Sequence, residues 1–291
     1  MKRIILPTDF SDNAYNAIRY ALRLFKDEKC TFYLLHTYTP AIYQAEYVLH
    51  SPSQIGLADV YRENSLTQLE VLKDEIGKEF GNPKHTVMIH TAFNVLVDEI
   101  VDTIANEKAD LVIMGTQGAT GAKEIFLGSQ TVHVIMKSTC PVLAVPSNFK
   151  YVKPKKILFP TDFGVDYQKA QLRILMDIAE MHLSCIEVLH IASGYGLLVD
   201  QVEHKQKLEA FIVKTMNTYH ELPNQSVIDA INKFKSDHKV DLLVMIQNKH
   251  TFLERMFIEP VIKKTAFHVD VPFLVIPSSV SRAADLQKKK G

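Results

Sequence analysis

Glycine is scarce in this 291-residue chain, at 11 residues, and cysteine scarcer, at three. Net charge is absent: 33 Lys+Arg against 33 Asp+Glu sum to zero. Each shortage excludes something. Cys30, Cys140 and Cys185 are odd in number and stand in no CxxC or Cys/His spacing, so neither a disulfide framework nor a zinc site is expected. They read as small buried apolar residues. A neutral chain gives no electrostatic reason to expect a nucleic-acid or membrane-surface partner. The two parts differ slightly: residues 1–150 carry 14 Lys+Arg and 17 Asp+Glu, and the remainder 19 and 16. Long apolar runs are missing too. The start of the chain holds only Ile4-Ile5-Leu6 before Pro7, short of a secretory signal, and no stretch reaches the roughly 18 apolar residues of a membrane span. The expectation is a reduced, soluble, cytoplasmic protein. Hydrophobic residues at 47% and charged residues at 23% are ordinary for a globular chain, and the length suggests two domains.

What the chain does have is a repeat. Ile4-Ile5-Leu6-Pro7-Thr8-Asp9-Phe10 returns as Ile157-Leu158-Phe159-Pro160-Thr161-Asp162-Phe163, an offset of 153. Leu34-Leu35-His36 returns as Val188-Leu189-His190, an offset of 154. Ala109–Met114 returns as Val240–Met245, and Pro141–Pro146 as Pro272–Pro277, both at 131. Four matches in one order predict two copies of one domain, over 1–147 and 157–278, joined by a polar linker over 148–156 and followed by a polar tail over 279–291. The fall in offset places a longer segment in the first copy, around Thr39–Val60. That segment carries Tyr43 and Tyr47, flanked by Tyr38 and Tyr61, and suits either a lid or a partly helical excursion.

Each copy alternates short apolar runs with helical patterns. Arg3–Thr8, Thr31–Thr37, Leu111–Met114 and Val142–Val145 suit strands buried on both faces, with His85–His90 between them. Ala14, Ala17, Ile18, Ala21, Leu22 and Phe25 share one helical face, with Ser11 placed as N-cap. Leu66, Leu69, Leu72 and Ile76 form a second stripe, and Leu96, Ile100, Val101 and Ile104 a third. The pattern predicts an α/β fold: two tandem doubly wound, mostly parallel five-stranded sheets with helices on both faces.

Four of the 11 glycines crowd into Gly115–Gly128. They follow a buried strand and lead into a helical run, Gln130–Lys137. Glycine there permits a sharp turn and close approach of backbone to a ligand. Gly128-Ser129 then opens a helix, whose amides and dipole favour phosphate. Asp9, after the first strand, belongs to the same carboxyl rim of the sheet, where ligands of open α/β sheets bind. The spacing is neither G-x-G-x-x-G nor G-x-x-x-x-G-K-[ST]. Taken alone it also fits two tight turns framing an ordinary strand-to-helix connection.

The segment does match G-x2-G-x9-G-[S/T], through Gly115, Gly118, Gly128 and Ser129. Together with Pro7–Ser11, Leu34–His36, Ala109–Met114 and Cys140–Pro146, it resembles the universal stress protein family over nearly the whole chain, as a tandem pair. That resemblance implies a Rossmann-like nucleotide-binding fold. It implies ATP, AMP or ADP, with or without Mg, held by Asp9, Thr37, Met114, Gly115, Gly118, Gly128, Ser129, Gln130 and Thr131. Asp9 and Thr37 would lie near the base and ribose, Met114 and Gly115 would line the pocket, and the remainder would meet ribose and phosphates. It also implies that Val142–Val145 and Phe273–Ile276 lie together, making a pseudo-dimer within one chain and leaving a homodimer open. A helix-capping role for Asp9 is the plainer alternative. In the second copy the 131 offset sets Ile246, Lys249, Glu259 and Pro260 at the motif positions, so one competent site is expected, in the first half.

The remaining chemistry is thin. Twelve histidines come with no HExxH or acidic ligand cluster, no G-x-S-x-G elbow is present, and Cys140 has no motif partner. Met114, Met136 and Met245 read as core residues, and Lys288–Lys290 as a solvated tail. The expectation is therefore a stress-response sensor or regulator that binds adenine nucleotide and is not a catalyst, slow ATP hydrolysis left open, with a protein partner the chain does not name. A nucleotide-independent interaction module is the competing reading.

Overall fold

A computed structural model describes residues 1–38, 57–116, 127–192, 196–222, 226–247 and 269–277. In the first half β1 (Lys2–Pro7), α1 (Asp12–Leu24), β2 (Cys30–Thr37), α2 (Leu57–Phe80), β3 (His85–Ala92), α3 (Leu96–Glu107), β4 (Leu111–Gly115), α4 (Ser129–Lys137) and β5 (Val142–Val145) follow one another. The second half has β6 (Lys156–Pro160), α5 (Lys169–His182), β7 (Cys185–Ile191), α6 (Val199–Ile212), β8 (Met216–Leu222), α7 (Val227–Asp237), β9 (Leu242–Ile246) and β10 (Phe273–Ile276). Within each half every strand pair is parallel, and the order along each half is third, second, first, fourth, fifth.

The two five-stranded sets join into one ten-stranded sheet. β5 and β10 pair antiparallel, with Ala144 opposite Phe273, Leu143 opposite Leu274 and Val142 opposite Val275. Each of these strands is four buried residues long. Parallel strands covered on both faces read as unbroken apolar runs, and these do.

Side-chain alternation sorts the core into two layers. Ile4 and Leu6 of β1 join the layer under α1, α2, α5 and α6, while Ile5 joins the layer under α3, α4 and α7. The helix stripes fall where periodicity places them: Leu69, Leu72 and Ile76 of α2 are buried, as are Ile100 and Ile104 of α3. Ser11 caps α1, accepting from the Ala14 amide at 3.3 Å. Leu57–Val60, expected in the long segment after β2, begin α2, and Tyr61 lies on that helix. Tyr43 and Tyr47 fall outside the described residues.

One polar device is used twice. Asp110, just before β4, accepts from the Arg3 amide at 2.9 Å, and Asp241, just before β9, accepts from the Lys155 and Lys156 amides at 2.9 and 3.0 Å. Each repeat thus ties the start of its first strand to the start of its fourth by a charge-assisted hydrogen bond. Between the halves, Arg173 of α5 donates to Asp110 at 2.6 Å, and Lys2 pairs with Asp177. The chain between β5 and β6 lies over this face. Asn16 of α1 donates to the carbonyls of Pro146 and Phe149, and Tyr20 packs edge-on against Phe149 and Tyr151.

His182, in the last turn of α5, donates from Nε2 to the Leu24 carbonyl at the end of α1, 2.9 Å away. Burial holds its pKa below the ordinary histidine value, as it does for His36 and His85. Unfolding restores an ordinary imidazole, so below about pH 6.5 the unfolded chain takes up protons first. Stability is complete above that pH and falls as pH drops through it. The thermal midpoint should therefore decrease between pH 7 and pH 5.5, and less steeply in His182→Gln. In the sheet, Leu274→Ala should cost about 2–5 kcal/mol in chemical denaturation, with one transition reporting both halves.

Candidate functional site

The first half places its motif residues where its strand order reverses. β1 has β2 on one side and β4 on the other, so the chains leaving β1 and β4 diverge to opposite faces and leave a crevice at their carboxyl ends. Asp9 follows β1, Thr37 closes β2, and Met114 and Gly115 close β4. Gly128, Ser129, Gln130 and Thr131 form the start of α4. Gly118 lies outside the described residues.

The crevice is built from its backbone outward. Gly115 is buried against α1, and a Cβ added to it would stand 2.3 Å from Nδ2 of Asn13. Glycine here answers a close approach of helix to strand. The Gly115 carbonyl accepts from the Thr131 hydroxyl at 3.0 Å, which pins α4 to the end of β4. Thr131 is buried, and its hydroxyl is engaged in this bond. The Thr116 carbonyl accepts from the Gly128 amide at 2.5 Å, closing the neck of the segment 117–127.

The residue capping α4 is Gly128, with φ −61° and ψ 155°, whose carbonyl accepts from Val132 at 3.0 Å. Ser129 is the first helical residue, and no side chain caps this terminus. Gly128 lacks the side-chain oxygen that Ser11 supplies to α1. The amides of Ser129, Gln130 and Thr131 have no intrahelical acceptor, and none is found among the described residues. Ser129 and Gln130 are exposed.

At the β1 end Asp9 combines two roles. Its Oδ1 accepts from the Ser11 amide at 3.1 Å and the Ser11 hydroxyl at 2.5 Å, which braces the cap of α1. The turn needs Phe10 at φ 62°, a left-handed conformation that costs a non-glycine residue energy. Asp9 remains exposed at the rim. Its charge acts on His36, whose ring packs 4.6 Å from Phe10 and whose pKa is lowered by burial against the opposing pull of Asp9.

Sequence reading missed the polar network behind this rim. His36 Nδ1 lies 2.7 Å from the hydroxyl of Ser65 on α2, and Ser65 lies 2.5 Å from the hydroxyl of Thr91 on β3. Ser65 is 2% exposed, a polar residue in a core position. The signal was its place one turn before Leu69 on the apolar stripe. Asn13 was missed too, although its position in the first turn of α1 faces the glycine that ends β4. Among the described residues no group of three His, Cys, Asp or Glu could hold a metal, and no helix is long and apolar enough to cross a membrane.

Comparisons with known proteins agree with this architecture. The description of the universal stress protein family matches residues 1–146 and again 153–277. A universal stress protein of Methanocaldococcus jannaschii is 32% identical over 164 residues, covering 53% of this chain and 84% of the relative. A second from the same organism is 33% identical over 156 residues, covering 50% and 94%. Among solved structures, a universal stress protein from Archaeoglobus fulgidus superposes with a TM-score of 0.69 at 18% identity, covering 95% of this chain and 98% of that one, which speaks for the fold. With the family matched twice over most of its length, in one order and on one sheet, the chain belongs to the universal stress protein family.

Proposed function

We propose that this stress-response protein binds an adenine nucleotide, ATP, ADP or AMP, at a single site in its first half, and acts in the cytoplasm as a sensor or regulator. One observation carries the reading. The start of α4 offers three amides without intrahelical partners, with no capping side chain, clamped to the β4 end at the point where the sheet order reverses. Helix dipole and amides together favour a phosphate there. Asp9 and Thr37 stand on the neighbouring strand ends, where the base and ribose would lie, beside the buried wall of Met114 and Gly115. Magnesium, where present, would ride on the phosphates and water, as it usually does without a cage of carboxylates. The first half, 1–147, would be the binding domain and the second, 157–278, its degenerate copy.

Isothermal titration of the full chain tests this. ATP should bind with a stoichiometry of one. Ser129→Asp is the informative variant, because a carboxylate in the first turn favours the helix while repelling phosphate. ATP should weaken at least about tenfold in it, as one lost charged contact predicts, AMP less, with a thermal midpoint no lower than the parent's. No heat from any adenine nucleotide would defeat the reading in favour of an interaction module.

A further inference from the structure

Among the described residues, the corresponding cleft of the second half keeps an opening. At the carboxyl ends of β6 and β9 a crevice of about 90 Å³ opens, walled by Pro160, Tyr167, Ile191, Val227 and Ile246, with Asp162 among its lining residues. By the repeat offsets Asp162 stands where Asp9 does, Ile191 where Thr37 does and Ile246 where Gly115 does. Two of three positions have become apolar.

The fold has adapted to this. Asp12, the first residue of α1, maps to 12 + 153 = 165, yet α5 begins at Lys169. The first turn of the helix is replaced by a loop. Asn13, which crowds Gly115, maps to Asp166, and Asp166 points instead to Lys207, 2.8 Å away. Room is thus made for the side chain of Ile246, and Tyr167 turns inward. Its hydroxyl lies 2.5 Å from that of Thr161, so two polar groups satisfy each other and leave the wall apolar. α6 holds the loop in place: Gln201 donates to the Asp162 carbonyl at 2.8 Å, and a ring nitrogen of His204 donates to the Phe163 carbonyl at 2.8 Å. The crevice is therefore shaped before any ligand arrives.

We propose that this crevice binds an uncharged flat ring bearing an N–H or O–H donor, a nucleobase or nucleoside, and rejects its phosphorylated forms. Apolar walls around a few polar groups are the usual make-up of a small-molecule site. An apolar cavity of about 150 Å³ encloses a whole benzene ring, so this smaller crevice, open at its rim, takes the edge of a ring and leaves the remainder outside. Asp162 sets the polarity. Its Oδ1 accepts from the Gly164 amide at 2.8 Å, and a carboxylate has further acceptor capacity for a ligand donor. Phosphate is disfavoured by what the second copy lacks: the 131 offset sets Pro260, which has no amide hydrogen, where the first half has Ser129. The inference goes beyond nucleotide binding by the first half and stands or falls separately.

The test is titration of adenosine into the full chain, with and without saturating ATP to occupy the first half. Adenosine should bind one equivalent in the presence of ATP. Val227→Trp, which places an indole in the crevice, should abolish that equivalent. Asp162→Ala, at an exposed position, should weaken it about fivefold, as loss of one hydrogen bond predicts. ATP titrations of both variants, and their thermal midpoints, should match the parent and report the first half and the fold independently. Absence of adenosine binding in the presence of ATP, or binding that both variants leave unchanged, would overturn the proposal.

Discussion

β5 and β10 are each four apolar residues long, buried on both faces, and hydrogen-bonded to each other in antiparallel register. Apart, each would form the bare edge of a five-stranded sheet, with unpaired amides and carbonyls beside an apolar surface. Such edges invite pairing with other chains. Joined, they become the two central strands of a ten-stranded sheet, and the vulnerable edges disappear into its middle. The outer edges that remain, β3 and β8, alternate exposed and half-buried residues along much of their length. The arrangement makes each half a structural requirement of the other.

That pairing anchors the second half although it has Ile246, Lys249 and Glu259 where the first half has its motif glycines. Retention of β6–β10 follows from sheet closure and from the ties across the helical face, Arg173 to Asp110 and His182 to the end of α1, whatever the second half binds. The two carboxylates Asp110 and Asp241 keep the same anchoring role in both copies. Ile246 stands where the first half has Gly115, and the helix opposite it starts about a turn later.

The contrast between Gly115 and Ile246 is therefore a packing problem solved twice. In the first half Asn13 fills the space a Cβ would need, so glycine is required and the backbone of β4 comes close to α1. Thr131 and the Thr116–Gly128 bond then fix the start of α4 against that strand end. In the second half the side chain is admitted and the helix gives way. One geometry leaves a crevice with polar backbone beside it, and the other leaves a crevice with an apolar wall.

The sequence by itself determined the duplication, the strand and helix order and the two-faced burial of the strands, because these rest on local periodicity and on residues repeated at fixed offsets. It also located Asp9, Thr37, Gly115 and Gly128 at strand ends and a helix start. Tertiary structure alone decided which residue caps α4, where the Thr131 hydroxyl goes, that Ser65 and Asn13 sit behind the rim, and that α5 starts a turn late. Those features depend on partners from 12 to more than 100 residues away in the chain. No local pattern carries such information: a serine on an apolar stripe looks like a defect until the histidine and threonine that satisfy it are brought alongside.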